Sequence, residues 1–166
     1  MARLIGGLGA RSCVVAGGLV AGALDISYAC IFWGLKRNVA PRRIFQSVAS
    51  GLLGEGSFRG GLPTAALGLA LHFLIATTMA FVFWLAARRW QRLVAWPLAT
   101  GAGYGLLLYI VMNGVVVPLS AARPGSKDPL WVGMSVAVHM LLIGVPIAFA
   151  ARFALRAASP RANLSA

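Results

Sequence analysis

The chain has 166 residues, of which 60% are hydrophobic and only 11% charged. An ordinary soluble domain is roughly 25% charged, and a chain this size with so few charges cannot cover a water-facing surface. These proportions exclude intrinsic disorder, a nucleic-acid-binding domain and a secreted disulfide scaffold, and leave a polytopic membrane protein. The excess of 15 Lys and Arg over 3 Asp and Glu would suggest nucleic acid in a soluble protein. Here the bases stand at the ends of apolar runs, as Arg3 and Arg11, Lys36-Arg37, Arg88-Arg89, and Arg152 and Arg156. Such positions meet anionic headgroups, with the side-chain stems lying along apolar surface. The expected partner is therefore the lipid bilayer and not nucleic acid. Cys13 and Cys30 lie in one expected helix, about 25 Å apart by helical rise, too far to form a disulfide.

Taken in chain order, the first span covers about 13–35 and is interrupted only by Asp25. Ala21-Gly22-Ala23 has the form of a signal cleavage site. The apolar run nevertheless continues to Leu35 and ends at Lys36-Arg37, so a retained membrane helix is expected. The connection 36–63 is too long for a turn. From Pro41 it carries apolar side chains at 44, 45, 48 and 52 and polar ones at 42, 43, 46, 47 and 50. That spacing predicts a short amphipathic helix, either lying in the interface or capping the end of the bundle.

Residues 60–87, 93–122 and 129–151 carry no formal charge, and each run can hold a spanning helix of about 20 residues. The second span, 64–87, opens beside Pro63, and the third, 97–118, opens on Pro97, where a missing N–H is tolerated. Asp128-Pro129 reads as an N-cap followed by proline at the first position of the fourth span, 130–151. Inside that span Pro146 should free the Leu142 carbonyl and kink the helix. The segment 118–129 reads as a short, rigid loop and 157–166 as a loose tail. The expected fold is all-α: a single four-helix transmembrane domain over 1–156, with the amphipathic helix between its first two spans. Eight bases fall on the side of the termini and seven on the other. The compact turn holding Arg88, Arg89 and Arg92 tips the reading towards cytoplasmic termini.

The polar residues within the spans carry the functional information. An aspartate at mid-span costs about 2.5–3.5 kcal/mol on insertion scales and is normally turned inward. Asp25 shares a helical face with Gly18, Gly22 and Ala29, a small-residue seam suited to close helix approach, and Tyr28 follows it by almost one turn. His72 shares a face with Gly68 and Ala76, and His139 lies one turn beyond Ser135. Asn113 in the third span, beside Gly101, Gly105 and Tyr109, falls in the same half of the membrane. Asp25, Tyr28, His72, Asn113 and His139 are thus expected to form one intramembrane polar cluster. Three roles fit it: an interhelical hydrogen-bond network that fixes packing, a relay for protons or ions, or bis-histidine ligation of haem or a metal by His72 and His139. Catalytic motifs are lacking: Glu55 is the only glutamate, and no HExxH, CxxC, P-loop or Ser/His/Asp order is present. No catalytic residue, metal site or cofactor is expected.

Several stretches resemble a group of small bacterial inner-membrane proteins without established function, the YagU-like group. They are Asp25-Ile-Ser-Tyr-Ala29, Gln46 to Gly54, Gly60 to Ala76, Tyr104-Gly105, and Met112-Asn113 through Pro118-Leu-Ser120. The resemblance implies a four-helix inner-membrane protein and supplies no reaction. Together with the glycine seams and the scarcity of soluble surface, it leads to the expectation of a non-enzymatic structural or accessory subunit that assembles with itself or a larger membrane complex. The alternative expectation is a proton-, ion- or small-ligand-handling protein that uses Asp25, His72 and His139.

Overall fold

A computed structural model describes residues 2–158, with side chains described from 9 to 157. The tail expected at 157–166 falls almost wholly outside the described residues. Five helices make up the architecture: α1 (Ala2–Arg37), α2 (Pro41–Leu53), α3 (Gly61–Arg89), α4 (Pro97–Leu119) and α5 (Pro129–Ala157). No strand occurs among the described residues. Four helices are long and apolar enough to cross a membrane, α1 from Gly9 together with α3, α4 and α5, so the chain is built as a multi-pass all-α membrane protein. Helix α2 is the short amphipathic element of the 36–63 connection.

The helices run longer than expected. α1 begins at Ala2 rather than near 13: no proline lies between 2 and 12, although Gly6, Gly7 and Gly9 do, and Ala10 and Val14 are fully buried in the core. α5 continues to Ala157 rather than 151, with Ala151 and Ala154 buried in the same cluster. Charges at the bilayer surface end a membrane span, but they do not end a helix. Gly61 starts α3 at a φ of +65°, a left-handed conformation that glycine adopts without strain. Pro97 and Pro129 occupy helix starts, and Asp128 caps α5 by accepting from the Trp131 N–H at 3.1 Å.

Packing is tightest at the end of the bundle that holds the termini. There Ala10, Val14, Ala80, Ala87, Ala148, Ala151 and Ala154 let α1, α3 and α5 approach closely around Phe83 and Ile147. Glycines carry the remaining close contacts. A Cβ on Gly18 would lie 2.6 Å from Thr77 Cα, and one on Gly22 would lie 3.0 Å from the Phe73 ring, locking α1 to α3. A Cβ on Gly101 would lie 2.8 Å from Val145 Cα, and one on Gly105 would lie 2.6 Å from Met140 Cα, locking α4 to α5. Gly68 makes room for the Phe45 carbonyl of α2 instead of another span. All five glycine positions singled out in the sequence are therefore filled by this chain's own helices, which removes them as surfaces for a partner.

The amphipathic helix α2 packs against α3, but not with the face its pattern suggested. Gln46, Ala49 and Ser50 are buried, whereas Leu52 and Leu53 are exposed. Gln46 can be buried because its Nε2 donates to the Gly61 carbonyl at 2.9 Å and to Thr64 Oγ1 at 3.2 Å. Thr64 Oγ1 in turn donates to the Ser57 carbonyl at 2.6 Å. The segment after α4 closes over the same end of the bundle. Ala121 N–H donates to the Gly51 carbonyl at 3.0 Å, and the ion pairs Arg123–Glu55 and Lys36–Asp128 tie the segment to the turn after α2 and the start of α5 to α1.

Candidate functional site: a polar cavity beneath the α2 cap

Between the tightly packed end and the cap, the four long helices and α2 line a partly open cavity of about 360 Å³. It extends from Ala76, Met79 and Ile143 at its base to Ser47, Gly51 and Ser120 beneath α2 and the 120–128 segment. Asp25, His72, Asn113 and His139 all line it. At about 1.5 Å of rise per residue, Asp25, His72 and His139 lie roughly 15–18 Å from the capped ends of their helices. Asn113 lies only about 9 Å from the end of α4. The four groups therefore share one cavity, with Asn113 nearer its capped end.

Two π-helical turns shape this site. In α4 the backbone widens over Met112–Val116, two residues before Pro118, and in α5 over His139–Gly144, two residues before Pro146. A proline cannot donate to the carbonyl four residues back and crowds it. Here each helix accommodates its proline with a wider turn immediately upstream, a form common at functional sites. In α5 the effect on facing direction is direct. Residues four apart drift by about 40° per step on an α-helix of about 3.6 residues per turn. The wider turn corrects that drift, so that Trp131, Ser135, His139 and Ile143 all line the cavity. Asn113 and His139, the polar groups of α4 and α5, each sit in such a turn.

The polar groups do not bond to one another. His72 Nε2 donates to the Gly22 carbonyl of α1 at 2.8 Å. His139 Nδ1 donates to the Ser135 carbonyl of its own helix at 2.9 Å, and Asn113 Nδ2 donates to the Tyr109 carbonyl at 3.0 Å. Of these three bonds, that of His72 joins two helices, α3 to α1. Among the described residues Asp25 has neither a hydrogen bond nor an ion pair. Both histidines line the same cavity as Asp25.

Tyr28 stands apart from the cluster in which the sequence grouped it. Its ring stacks on Trp131 at 5.4 Å and 8°, and its hydroxyl is buried beside Ser135 without either oxygen completing a hydrogen bond. The wall also holds groups that polar spacing did not single out as ligand-facing: Trp33, Trp131 and Tyr109, together with Ile44, Ser47 and Val48 of α2. Trp33 and Trp131 belong to an aromatic cluster with Phe32 and Tyr28, with ring centroids 5.0–5.8 Å apart.

His72 and His139 each commit one ring nitrogen to a backbone carbonyl and keep the other free, and among the described residues no three His, Cys, Asp or Glu side chains are grouped to hold a metal ion. No family model, curated protein or solved structure matches the chain.

Proposed function

We propose that this is a transporter-like membrane protein that holds a small ligand or ion in the cavity, with Asp25 as its charged determinant. One observation carries the reading: a carboxylate lines a mid-membrane cavity without a hydrogen bond or ion pair among the described residues. Intramembrane carboxylates are expensive and normally paired, so one left facing a cavity is explained by something that visits it. The accessory-subunit reading drew on the glycine seams, which are filled from within.

The same reading locates the protein in a bacterial inner membrane, in line with the YagU-like resemblance, with both termini cytoplasmic. The compact turn at the end opposite the cap gathers Arg88, Arg89 and Arg92 within five residues, and bases in short connections are retained on the cytoplasmic side.

Native mass spectrometry of protein extracted gently from its own membranes tests the proposal. The wild type should carry a small-molecule or ion adduct that is lost in Asp25→Asn, while circular dichroism of the variant remains native. An adduct unchanged in Asp25→Asn would refute it. So would a stoichiometric protein partner with no small adduct, which would restore the subunit reading.

A further inference from the structure

We infer that the ligand of this cavity is a protonated amine. The inference rests on the reading of the cavity as a ligand site and names the chemistry it selects. It follows from counting which hydrogens and lone pairs the wall has left to offer. His72 and His139 each donate one ring N–H to a backbone carbonyl. In the neutral ring the other nitrogen is then an acceptor. Asn113 directs its Nδ2 to the Tyr109 carbonyl and keeps Oδ1 as an acceptor. Ser47 and Ser120 donate their hydroxyl hydrogens to the Ile44 and Val117 carbonyls at 2.7 and 2.8 Å; Ser120 Oγ also accepts from the Ala122 N–H at 3.1 Å, which leaves it one lone pair and Ser47 two. Asp25 is acceptor-only when ionised, and the hydroxyls of Tyr109 and Ser135 can act either way.

The wall is thus rich in acceptors and, with Asp25 ionised, carries one negative charge, and no Lys or Arg lines it. An anion would meet no cation there, and a neutral guest would leave Asp25 unpaired. Calcium and magnesium take several oxygen ligands around one point, and no group of three or more His, Cys, Asp or Glu side chains placed to hold a metal ion exists among the described residues. An ammonium head has up to three N–H donors and no acceptor, the complement of this wall. Trp33, Trp131 and Tyr109 also line the cavity, and aromatic side chains attract a cation. A volume of about 360 Å³ lies in the lower part of the range of about 300–1,000 Å³ for small-molecule sites.

The test is calorimetric titration of the full-length protein in lipid nanodiscs, with empty nanodiscs as the blank. The probes are phenethylamine, its uncharged isostere phenethyl alcohol, and its N-trimethylated analogue. The amine should bind about tenfold or more tighter than the alcohol, as loss of a charged hydrogen bond implies. The trimethylated analogue, which has no N–H, should bind more weakly than the amine. Asp25→Asn should abolish the preference for the amine, and Asn113→Leu should reduce it by a smaller factor. If alcohol and amine bind equally and Ala29→Phe blocks both, the cavity is a ligand site but the amine assignment fails. If the amine binds but neither Asp25→Asn nor Ala29→Phe weakens it, the site lies elsewhere and the cavity reading falls with it. Absence of binding by all three probes overturns the assignment.

Discussion

The crossing of α4 and α5 gives a stability prediction whose sign depends on geometry. Gly144 packs into α4 with its Cα facing backbone. An added Cβ would strike the Gly101 carbonyl oxygen and lie 2.6 Å from Gly105 N and 2.9 Å from the Gly101 carbonyl carbon. None of these atoms can swing aside. Moving Gly105 N from 2.6 Å to the 3.4 Å of ordinary contact requires a separation of 0.8 Å, and clearing the carbonyl oxygen requires more. Overpacking of this kind costs about 1–3 kcal/mol, and the intrinsic helix preference of Ala over Gly returns about 1 kcal/mol. Gly144→Ala should therefore destabilise the protein by up to about 2 kcal/mol. Gly103, also in α4 and midway between the two glycines of the crossing, faces open space: a Cβ there would meet no atom within 4 Å. Gly103→Ala should accordingly be neutral or stabilising by up to about 1 kcal/mol. Reversible unfolding in mixed micelles with rising dodecyl sulfate, followed by circular dichroism, measures both variants. Equal stability of the two, or a more stable Gly144→Ala, would refute the α4–α5 contact.

Three further outcomes follow from the polar contacts. Asp25→Asn should be at least as stable as the wild type, and by up to about 2 kcal/mol more so, because it removes an unpaired charge from mid-membrane; a clear loss in the same unfolding assay would make Asp25 a packing residue. Gln46→Glu should destabilise more than Gln46→Leu, since a carboxylate would face the Gly61 carbonyl and Thr64 Oγ1 with no hydrogen to donate. A difference of about 1–3 kcal/mol between the two is expected in unfolding midpoints, and equal midpoints would argue against the assigned orientation of the amide. At the capped end, the Lys36 ammonium and then the Trp131 N–H hold the Asp128 carboxyl below its ordinary value. Its contribution to stability is thus fully present above the unfolded value of about 3.9 and is lost as pH falls through the depressed folded value. Asp128→Asn should remove that acid-side slope from the stability-versus-pH curve, and an unchanged slope would deny Asp128 the role.

The spans were legible because bilayer thickness imposes a length on apolar runs, and the runs around Ile75, Leu107 and Leu142 have it. Their ends were less legible, since Arg11 and Arg152 mark where hydrocarbon stops while the helix goes on. The buried face of α2 was hidden for a related reason. A pattern that hides apolar and exposes polar residues assumes water outside, but next to lipid Leu52 and Leu53 can face outward while Gln46 and Ser50 turn in. The convergence of Asp25, His72, Asn113 and His139 on one cavity followed from helix direction and depth. The aromatic part of the wall did not, because Trp33 and Trp131 sit near span ends, where tryptophan also serves as an interfacial anchor. A row at spacing four, Trp131, Ser135, His139 and Ile143, was the available signal. It reads as drifting off one face unless the π turn before Pro146 is known.

The cavity, the glycines and the prolines belong to one arrangement. Gly18 and Gly22 fix α1 against α3, and Gly101, Gly105 and Gly144 fix α4 against α5. Between the pairs, α1 also meets α5 where Gly17 accommodates Ala150, and Tyr104 bridges α4 to α3 by donating to the Met79 carbonyl at 2.9 Å. Above Met79 the wall passes from α3 to α4 across open space, through His72 on one side and Asn113 on the other. The gap at Asp25 thus lies between two helix pairs, each of which has its internal spacing set by close backbone approach at glycine.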